Sequence, residues 1–452
     1  MAKATSRKKL YLRKVKQLTQ SAGLIQTLYT SAGSMIASGL AAIATILITR
    51  KLGPSEFGQF SAAFSLVLIL VKLNDAGLST ATTKFISSAK TKNKKAQYYN
   101  LISRYRLLLS GILLSIGILS ANFLAQVLKI KPELIYLALF TSQATVYYEH
   151  LLFVLQALHK FPSATLVTIS QAIGKTIFTL FFFFNLLPQQ TELIFLLYMA
   201  APSLPVLLTH YFLPDWLFHL KKSFKNQLKS SEINLKAIFV KKISTDTQRK
   251  VQNLLKHSFV GIVSAGIIEN IDVLFVKAYL TDYEAGLLGG VNRVALLLYV
   301  LAYALGNVLN SRVARYKLKC DLQAYWKKAW LVLAASVVGF AASVPVAKYL
   351  ILFTIGPEYL PALPIMLILL AAGFVTIGLM PFIAFFYTFD KPWYFSISGI
   401  MQLAIVVIGN GVLVPVYGLE AAAWTRLVAR GVLLALTVVL ARKEYGKICQ
   451  QN

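Results

Sequence analysis

The chain is poor in charged residues, and acidic residues are the scarcest. Only 14% of its 452 residues are charged, and 17 Asp and Glu stand against 46 Lys and Arg. A soluble globular protein of ordinary composition carries about 25% charged residues. This shortage of charge excludes an ordinary soluble domain.

Apolar residues fill the space that charge leaves. They make up 57% of the sequence, and the mean hydropathy is +0.64. Several uncharged windows are each long enough for a helix to cross about 30 Å of hydrocarbon: 107–128, 193–214, 329–347, 359–389 and 392–419. Backbone groups in lipid must satisfy their own hydrogen bonds, so such windows form helices. The sequence predicts an all-α polytopic membrane protein.

Twelve transmembrane helices are predicted in all. Their approximate ranges are 28–49, 58–80, 105–126, 133–158, 163–187, 192–213, 256–279, 285–310, 329–353, 360–387, 393–415 and 420–441. The fourth and fifth spans are separated by only "HKFP" (159–162). We expect the basic N-terminus and first apolar segment to be an uncleaved first helix, because the segment is too long for a signal peptide.

The positive charge is distributed unevenly between the two sides of the membrane. With the N-terminus inside, the inner segments hold 35 Lys and Arg and the outer segments hold 5. This bias predicts a multi-pass protein of the cytoplasmic (inner) membrane with both termini in the cytoplasm. It explains the charge as topology and as attraction to anionic lipid headgroups, and not as a nucleic-acid site. Cys320 and Cys449 then both lie on the cytoplasmic side, so no disulfide is expected.

The spans divide into two halves of six. Residues 1–213 form the predicted N-terminal lobe, 214–255 a basic cytoplasmic linker, and 256–452 the C-terminal lobe. Residues after span 1 align with residues after span 7 at an offset of 228: Leu52, Glu56, Gly58, Leu68 and Leu70 with Leu280, Glu284, Gly286, Leu296 and Leu298. Because six is an even number, the halves start on the same side. This predicts a parallel repeat with its pseudo-twofold axis along the membrane normal.

The residues at this hairpin resemble a known family. "RKLGPSEFGQFS" after the first span and "NIDVLFVKAYLTDYEAGLLGGVNRV" across spans 7 and 8 are similar to the polysaccharide-biosynthesis, Wzx-type oligosaccharide-lipid flippases. These belong to the multidrug/oligosaccharidyl-lipid/polysaccharide exporter superfamily. The resemblance implies two six-helix lobes around a central cavity. It also implies that alternating access moves undecaprenyl-diphosphate-linked oligosaccharide (an O-antigen, capsule or exopolysaccharide unit) to the outer leaflet.

Charged residues inside the membrane are costly, so each one is a candidate functional residue. Lys348 lies near the end of span 9, within reach of the interface, and needs no function. Lys72 and Asp75 share a face of span 2 and are interpreted as a local ion pair, a gate element or a substrate contact. Glu149, beside His150, belongs either to a packed polar network or to a gate.

The remaining basic residues lie deeper and suit an anionic substrate. Lys175 lies near the midplane of span 5, where it either contacts a phosphate headgroup or pairs with Glu149. Its "GKT" is not a phosphate loop, because that motif needs glycine where Ile169 stands. Arg426 and Arg430 share a face of span 12 and can hold phosphate bidentately or neutralise acids. Arg293 in span 8 has a similar depth. With Lys72, these four residues are the predicted substrate-binding set.

The acids of "AGIIENIDVLF" lie at the same depth as these arginines. Glu269 and Asp272 share a face of span 7, beside Asn270. We expect them to face the cavity between the lobes, where they hold the arginines in place or take up a coupling proton or sodium ion. Asp75 and Glu149 complete the predicted set of charge-pairing or coupling groups. No cofactor and no metal site is predicted, and a monomer is expected.

Other functions are less consistent with the sequence. A drug or metabolite antiporter of the same superfamily is the main alternative, although an acid expected in its first span is missing from 28–49. A lipid II flippase is expected to have two more spans. A membrane glycosyltransferase or polymer ligase needs larger outer loops or a carboxylate and histidine cluster, and no D-x-D occurs. A structural scaffold does not explain acids and arginines at matching depth.

Overall fold

The computed structural model describes residues 22–212, 245–313, 319–388 and 393–451, and these are almost entirely helical. The helices are α1 (Ala22–Asp75), α2 (Leu78–Ala81), α3 (Lys92–Leu128), α4 (Pro132–Ala157), α5 (Phe161–Phe183), α6 (Thr191–Ala200), α7 (Ser203–Phe212), α8 (Thr245–Tyr279), α9 (Asp282–Val313), α10 (Lys319–Thr354), α11 (Leu363–Thr388), α12 (Trp393–Tyr417) and α13 (Leu419–Gln451). A π-helical turn (Thr82–Ile86) follows α2, and a 3-10 helix (Pro357–Ala362) precedes α11. The predicted linker 214–255 lies mostly outside the described residues.

Predicted spans 1 and 2 form one helix with a break. Gly53 interrupts α1 with φ 69° and ψ 173°, and Pro54 starts the second arm. Glycine adopts this left-handed φ without strain, and proline is suited to the first turn of a helix. Predicted span 6 is also divided, because Pro202 falls between α6 and α7.

Nine helices in the described part of the chain are long and apolar enough to cross a membrane. The first of them carries both spans of α1, whereas α4 and the α6–α7 pair are not among the nine. The protein is thus an all-α polytopic membrane protein, as predicted. Helical residues cover nearly all of the twelve predicted ranges, and the number twelve itself stays a prediction.

The two sequence halves pack together through α1, α8 and α9. At the end where α1 bends and α8 meets α9, called here the hairpin end, side chains from both halves are completely buried, including Phe57, Phe60, Ala285 and Tyr359. The opposite end, where α8 begins, is called the linker end. Burial of this aromatic cluster, together with close glycine contacts, closes the interface at the hairpin end.

A network of polar groups also joins the halves at the hairpin end. Lys277 is 1% exposed; its Nζ forms an ion pair with Asp282 and donates to the Lys129 carbonyl oxygen at 2.5 Å. Gln59 Nε2 donates to Asp282 Oδ2 at 2.8 Å. The Tyr359 hydroxyl donates to the Thr49 carbonyl oxygen at 3.1 Å. These contacts satisfy buried polar groups that apolar packing alone would leave unpaired.

Candidate functional site

The first half contains a buried ion pair that the sequence did not predict. Arg106 Nη2 lies 2.9 Å from Asp75 Oδ1, and both side chains are almost completely buried. Asp75 also accepts hydrogen bonds from the backbone amide and the hydroxyl of Ser79. The local ion pair between Lys72 and Asp75, one of the three interpretations of these residues, is therefore wrong. Arg106 lies fourteen residues into α3, which begins at Lys92, well before the predicted start of span 3.

Lys72 pairs instead with Glu149 on α4, with 3.7 Å between Nζ and Oε2. The alternative pairing of Glu149 with Lys175 is accordingly wrong. The neighbouring His150 is buried, and its Nε2 lies 2.9 Å from the Ser103 hydroxyl. Its ring stacks on Tyr99 with centroids 5.6 Å apart. Glu149 and His150 thus belong to a packed polar network between α1, α3 and α4, one of the two interpretations of this pair.

Lys175 is half-buried on α5 and has an aromatic partner. Its Nζ lies 4.6 Å from the centre of the Tyr198 ring. On the other side of the interface Arg293 lies with its guanidinium carbon 4.2 Å above the Phe64 ring. The Phe64 and Tyr198 rings are 6.1 Å apart. Two cations from opposite halves therefore rest on one aromatic pair, an arrangement in which the ring faces partly offset the cost of burying charge.

Among the described residues of the second half, Asp272 and Arg426 form the most buried ion pair. Arg426 Nε donates to Asp272 Oδ2 at 2.7 Å, and Asn410 Nδ2 donates to Asp272 Oδ1 at 2.9 Å. Asp272 is 1% exposed. Both carboxylate oxygens are therefore occupied, which is what a buried carboxylate needs to remain charged at low dielectric. Of the two roles that the sequence analysis gave Arg426, holding phosphate or neutralising acids, this contact corresponds to the second.

The Arg426 guanidinium links three helices. Nη1 donates to Asn292 Oδ1 on α9 at 2.7 Å, and Nη2 donates to the Glu269 carbonyl oxygen on α8 at 3.1 Å. Asn270 donates to the Gly266 carbonyl oxygen of its own helix and does not bond Arg426. Arg426 is thus fixed in one orientation by Asp272, Asn292 and a backbone carbonyl.

Glu269 is held differently from Asp272. Its side chain is exposed, and the Tyr303 hydroxyl donates to its Oε1 at 2.8 Å. Among the described residues no cationic group lies within ion-pair distance of this carboxylate. Arg430, one turn after Arg426, donates from Nη1 to Gln402 Oε1 at 3.0 Å and lies 5.6 Å from the Tyr299 ring centre. Glu269 and Arg430 thus remain available to a ligand.

Two cavities meet at these residues. The small cavity, of about 210 Å³, is lined by Glu269, Asn270, Asn292, Arg293, Arg426 and Arg430, with Tyr299 and Tyr303. The large cavity, of about 590 Å³, extends along α8 from Leu254 and Ser258 to Glu269. Ile268, Glu269, Tyr303 and Arg430 line both. Three arginines and one accessible acid therefore surround a single small volume.

Several donors in the small cavity have no partner. Arg293 Nε, Arg430 Nε and the Tyr299 hydroxyl are buried without a hydrogen bond among the described residues. An unsatisfied buried polar group costs about 1–3 kcal/mol, and more when charged. All three side chains line the small cavity. Within the same part of the chain no cluster of three or more His, Cys, Asp or Glu could hold a metal ion.

The structure thus separates the predicted site residues into groups. Glu269, Asn270, Arg293, Arg426 and Arg430 line one cavity, and Asp272 contacts it through Arg426. Lys72, Asp75 and Glu149 lie in the polar network of the first half, and Lys175 is held apart over Tyr198. Lys348 is exposed, which is consistent with its predicted position near the membrane interface. The sequence reasoning missed Asn410 and Gln402, although they are the two large amides in the apolar segment 393–415.

Comparison with known proteins gives a family and a fold. Residues 24–309 match the family described as polysaccharide biosynthesis protein. No match was found among curated protein sequences. Similar solved structures include a multidrug resistance MATE family transporter of the MOP superfamily in an inward-facing conformation. Its TM-score is 0.67 at 16% identity, and the alignment covers 94% of this chain and 96% of that one.

Two further solved structures share the fold. The lipid II flippase MurJ in an inward closed conformation has a TM-score of 0.67 at 15% identity, with 93% of this chain and 89% of that one covered. An outward-facing MATE transporter has a TM-score of 0.52 at 16% identity, with coverage of 94% and 97%. The helical arrangement is therefore similar to that of these transporters. Since the family match spans more than half of the sequence, the chain belongs to the polysaccharide biosynthesis protein family.

Proposed function

We propose that this protein is a flippase that moves undecaprenyl-diphosphate-linked oligosaccharide across the cytoplasmic membrane without a chemical step. The observation that carries the proposal is the small cavity, where Arg293, Arg426 and Arg430 surround about 210 Å³. Guanidinium groups bind phosphate oxygens bidentately. The unpartnered donors of Arg293, Arg430 and Tyr299 are the complement of a diphosphate, which presents acceptor oxygens only.

The positions of these arginines suit transport across the bilayer. They lie on α9 and α13, within helices that are long and apolar enough to span a membrane. A charge at that depth is expensive unless it has a partner or a ligand. Asp272 neutralises the charge of Arg426. Arg293 instead lies over the Phe64 ring, and Arg430 donates to the Gln402 amide oxygen. A diphosphate at the same depth would offset the cost of burying these arginines, and the arginines would offset the cost of burying the diphosphate.

Alternating access of two lobes is the proposed mechanism, with 1–213 and 256–452 as the lobes. The hairpin end is closed by packing between halves, and the large cavity reaches toward the linker end. With the predicted topology this is an inward-facing state, and the higher TM-score to the inward-facing than to the outward-facing transporter supports it. Transport then requires the contacts at the hairpin end to break and the linker end to close. We propose that a single chain is the transporting unit.

Glu269 is the proposed coupling group for a proton or a sodium ion. Asp272, the other acid of span 7, already has both oxygens occupied by Arg426 and Asn410. The Glu269 carboxylate lines both cavities and shares the small one with three arginines. A cation bound at Glu269 removes negative charge beside the diphosphate site, so the cation and the diphosphate strengthen each other's binding. This mutual effect links movement of the ion to movement of the substrate.

An antiporter of drugs or metabolites is the second candidate. The large cavity, with mostly apolar lining residues, and the similarity to multidrug transporters favour it. Organic cations would need acidic partners, and the small cavity has three arginines against the single acid Glu269. This charge balance favours an anionic substrate.

The test is a flipping assay in proteoliposomes. Undecaprenyl-diphosphate-linked glycan is supplied in one leaflet, and its appearance in the other is measured, with an organic cation such as rhodamine 6G as the competing probe. We expect Arg293→Gln and Arg430→Gln to abolish glycan-lipid movement, and Lys348→Gln, an exposed lysine, to leave it unchanged. Rhodamine export without glycan-lipid movement, or full movement in both arginine variants, contradicts the proposal.

A further inference from the structure

The large cavity is not needed to hold the diphosphate, and its lining suits a different chemical group. Its walls include Ile262, Ala265, Ile268 and Leu379, while Glu269, Gln402 and Arg430 lie at its inner end. A volume of about 590 Å³ falls inside the range of roughly 300–1,000 Å³ that is typical of small-molecule sites. Such sites combine apolar walls with a few converging polar groups, and this cavity has that composition.

We propose that the large cavity is the subsite for the first sugar of the substrate, with Glu269 and Gln402 as its specificity-determining residues. This inference rests on the proposed function. The two cavities share Ile268, Glu269, Tyr303 and Arg430, so they lie side by side at these side chains. A sugar joined directly to a diphosphate in the small cavity must occupy the adjacent volume, and the large cavity is that volume.

The chemistry of the inner end matches a sugar better than a lipid tail. Sugar hydroxyls donate to carboxylate and amide oxygens and accept from guanidinium groups, and the C–H faces of the ring pack on apolar or aromatic surfaces. Glu269, Gln402 and Arg430 provide the polar partners, and the Tyr303 ring lies beside Glu269. A polyprenyl chain in this place would remove water from a carboxylate and a guanidinium without replacing their hydrogen bonds, which is strongly unfavourable.

Arg430 marks the boundary between the two subsites. Its Nη1 is engaged by Gln402, a lining residue of the large cavity, while its Nε is buried and unpartnered. Because Arg430 lines both cavities, one guanidinium can face the diphosphate site and position the Gln402 amide at the same time. The glycan is thereby directed along α8 toward the linker end, away from the closed hairpin end.

Two glycines provide a matched steric test. A Cβ at Gly261, which lines the large cavity, would have no atom within 4 Å, and the same holds for Gly111 on α3. Gly111 does not line either cavity. Gly261→Trp therefore fills the large cavity, and its Cβ clashes with no neighbouring atom. Gly111→Trp makes the same substitution in another long apolar helix and is the control. Ala265→Phe, at a second lining position, replaces Gly261→Trp if that variant does not fold.

The experiment measures binding in detergent with defined probes. These are undecaprenyl diphosphate and two derivatives that carry one sugar, N-acetylglucosamine or glucose. We expect the wild type to bind at least one sugar derivative more tightly than undecaprenyl diphosphate. Gly261→Trp should weaken the binding of that derivative by about tenfold or more and leave the binding of undecaprenyl diphosphate unchanged. Gln402→Ala should weaken the binding of the same sugar derivative. Gly111→Trp should bind all three like the wild type.

The outcomes separate the subsite from the proposed function. If the wild type binds all three probes equally, or if Gly261→Trp binds the sugar derivatives normally, the sugar does not occupy the large cavity and the inference is overturned. If Gly261→Trp loses undecaprenyl diphosphate as well, the cavity holds another part of the lipid and the inference is again overturned. If the wild type binds none of the probes, the proposed function itself is wrong.

Discussion

Gly58 and Gly286 contact each other through their backbones where the second arm of α1 crosses α9. A Cβ on Gly58 would lie 1.9 Å from the Asp282 carbonyl oxygen, and a Cβ on Gly286 would lie 1.7 Å from the Pro54 carbonyl oxygen. Asp282 follows Pro54 by 228 residues, and Gly286 follows Gly58 by the same number. The contact is thus reciprocal under the offset seen in the sequence, and the pseudo-twofold axis itself stays a prediction.

Alanine at either glycine should force the two helices apart. We expect Gly58→Ala and Gly286→Ala each to destabilise the protein by about 1–3 kcal/mol, the usual cost of overpacking a core. The measurement is the thermal melting temperature in detergent. Gly111→Ala, where a Cβ meets nothing, is the control and should melt at or above the wild-type temperature because glycine is a poor helix former. Unchanged melting of both crossing variants would show that the backbones are not this close.

The Asp272–Arg426 pair should behave as a structural unit. Asp272→Asn leaves the buried Arg426 guanidinium without its charge partner, and breaking a buried pair costs about 3–5 kcal/mol. The double variant Asp272→Asn/Arg426→Gln removes both charges, so we expect it to be more stable than Asp272→Asn alone. Unfolding of the wild type, both single variants and the double variant gives the coupling energy between the two side chains. A coupling energy near zero would contradict the pairing.

The sequence indicated which charged residues of the second-half site share a helix face, but not their partners. Residues three or four apart on a helix share a face, which placed Glu269 with Asp272 and Arg426 with Arg430. Which acid meets which base depends on how helices pack, and that is a long-range property. Lys72 and Asp75 show this plainly. They are neighbours on one helix, yet each forms its ion pair with a residue of a different helix.

Uncharged polar residues were the second limit of the sequence reasoning. Asn292, Gln402 and Asn410 complete the arginine environment, yet an amide in an apolar span carries a weaker signal than a charge. Arg106 was missed for another reason. It lies within the predicted span 105–126, but its charge was counted with the basic residues of the preceding inner segment, and so it was not considered as an intramembrane ion.

Glu269→Gln should remove the dependence of transport on an ion gradient. The amide keeps the shape of the side chain and its contact with the Tyr303 hydroxyl, but it cannot take up a proton or hold a cation. In proteoliposomes we expect the wild type to flip glycan-lipid faster with an imposed proton or sodium gradient than without one. The variant should flip at one rate in all conditions. Glu149→Gln, in the polar network of the first half, is the matched control and should keep the response.

The coupling proposal depends on which acid variant loses that response. If Glu269→Gln still accelerates under a gradient, Glu269 is not the coupling group. If Asp272→Asn alone becomes independent of the gradient while retaining transport, the coupling role belongs to Asp272. In that case Arg426 must release Asp272 during the cycle, because both carboxylate oxygens are occupied in this conformation.

The ion pairs Arg106–Asp75 and Lys72–Glu149 of the first half should differ in their contribution to stability, because they differ in burial. The Arg106 and Asp75 side chains are 4% and 7% exposed, whereas those of Lys72 and Glu149 are 39% and 24% exposed. Arg106→Gln leaves the Asp75 carboxylate buried with only Ser79 as a partner, so we expect a loss of about 3–5 kcal/mol. Lys72→Gln removes a longer, partly exposed contact and should cost about 1 kcal/mol or less. Melting temperatures of the two variants in the same detergent make the comparison. Equal losses would mean that burial, as the structure describes it, does not set the strength of these pairs.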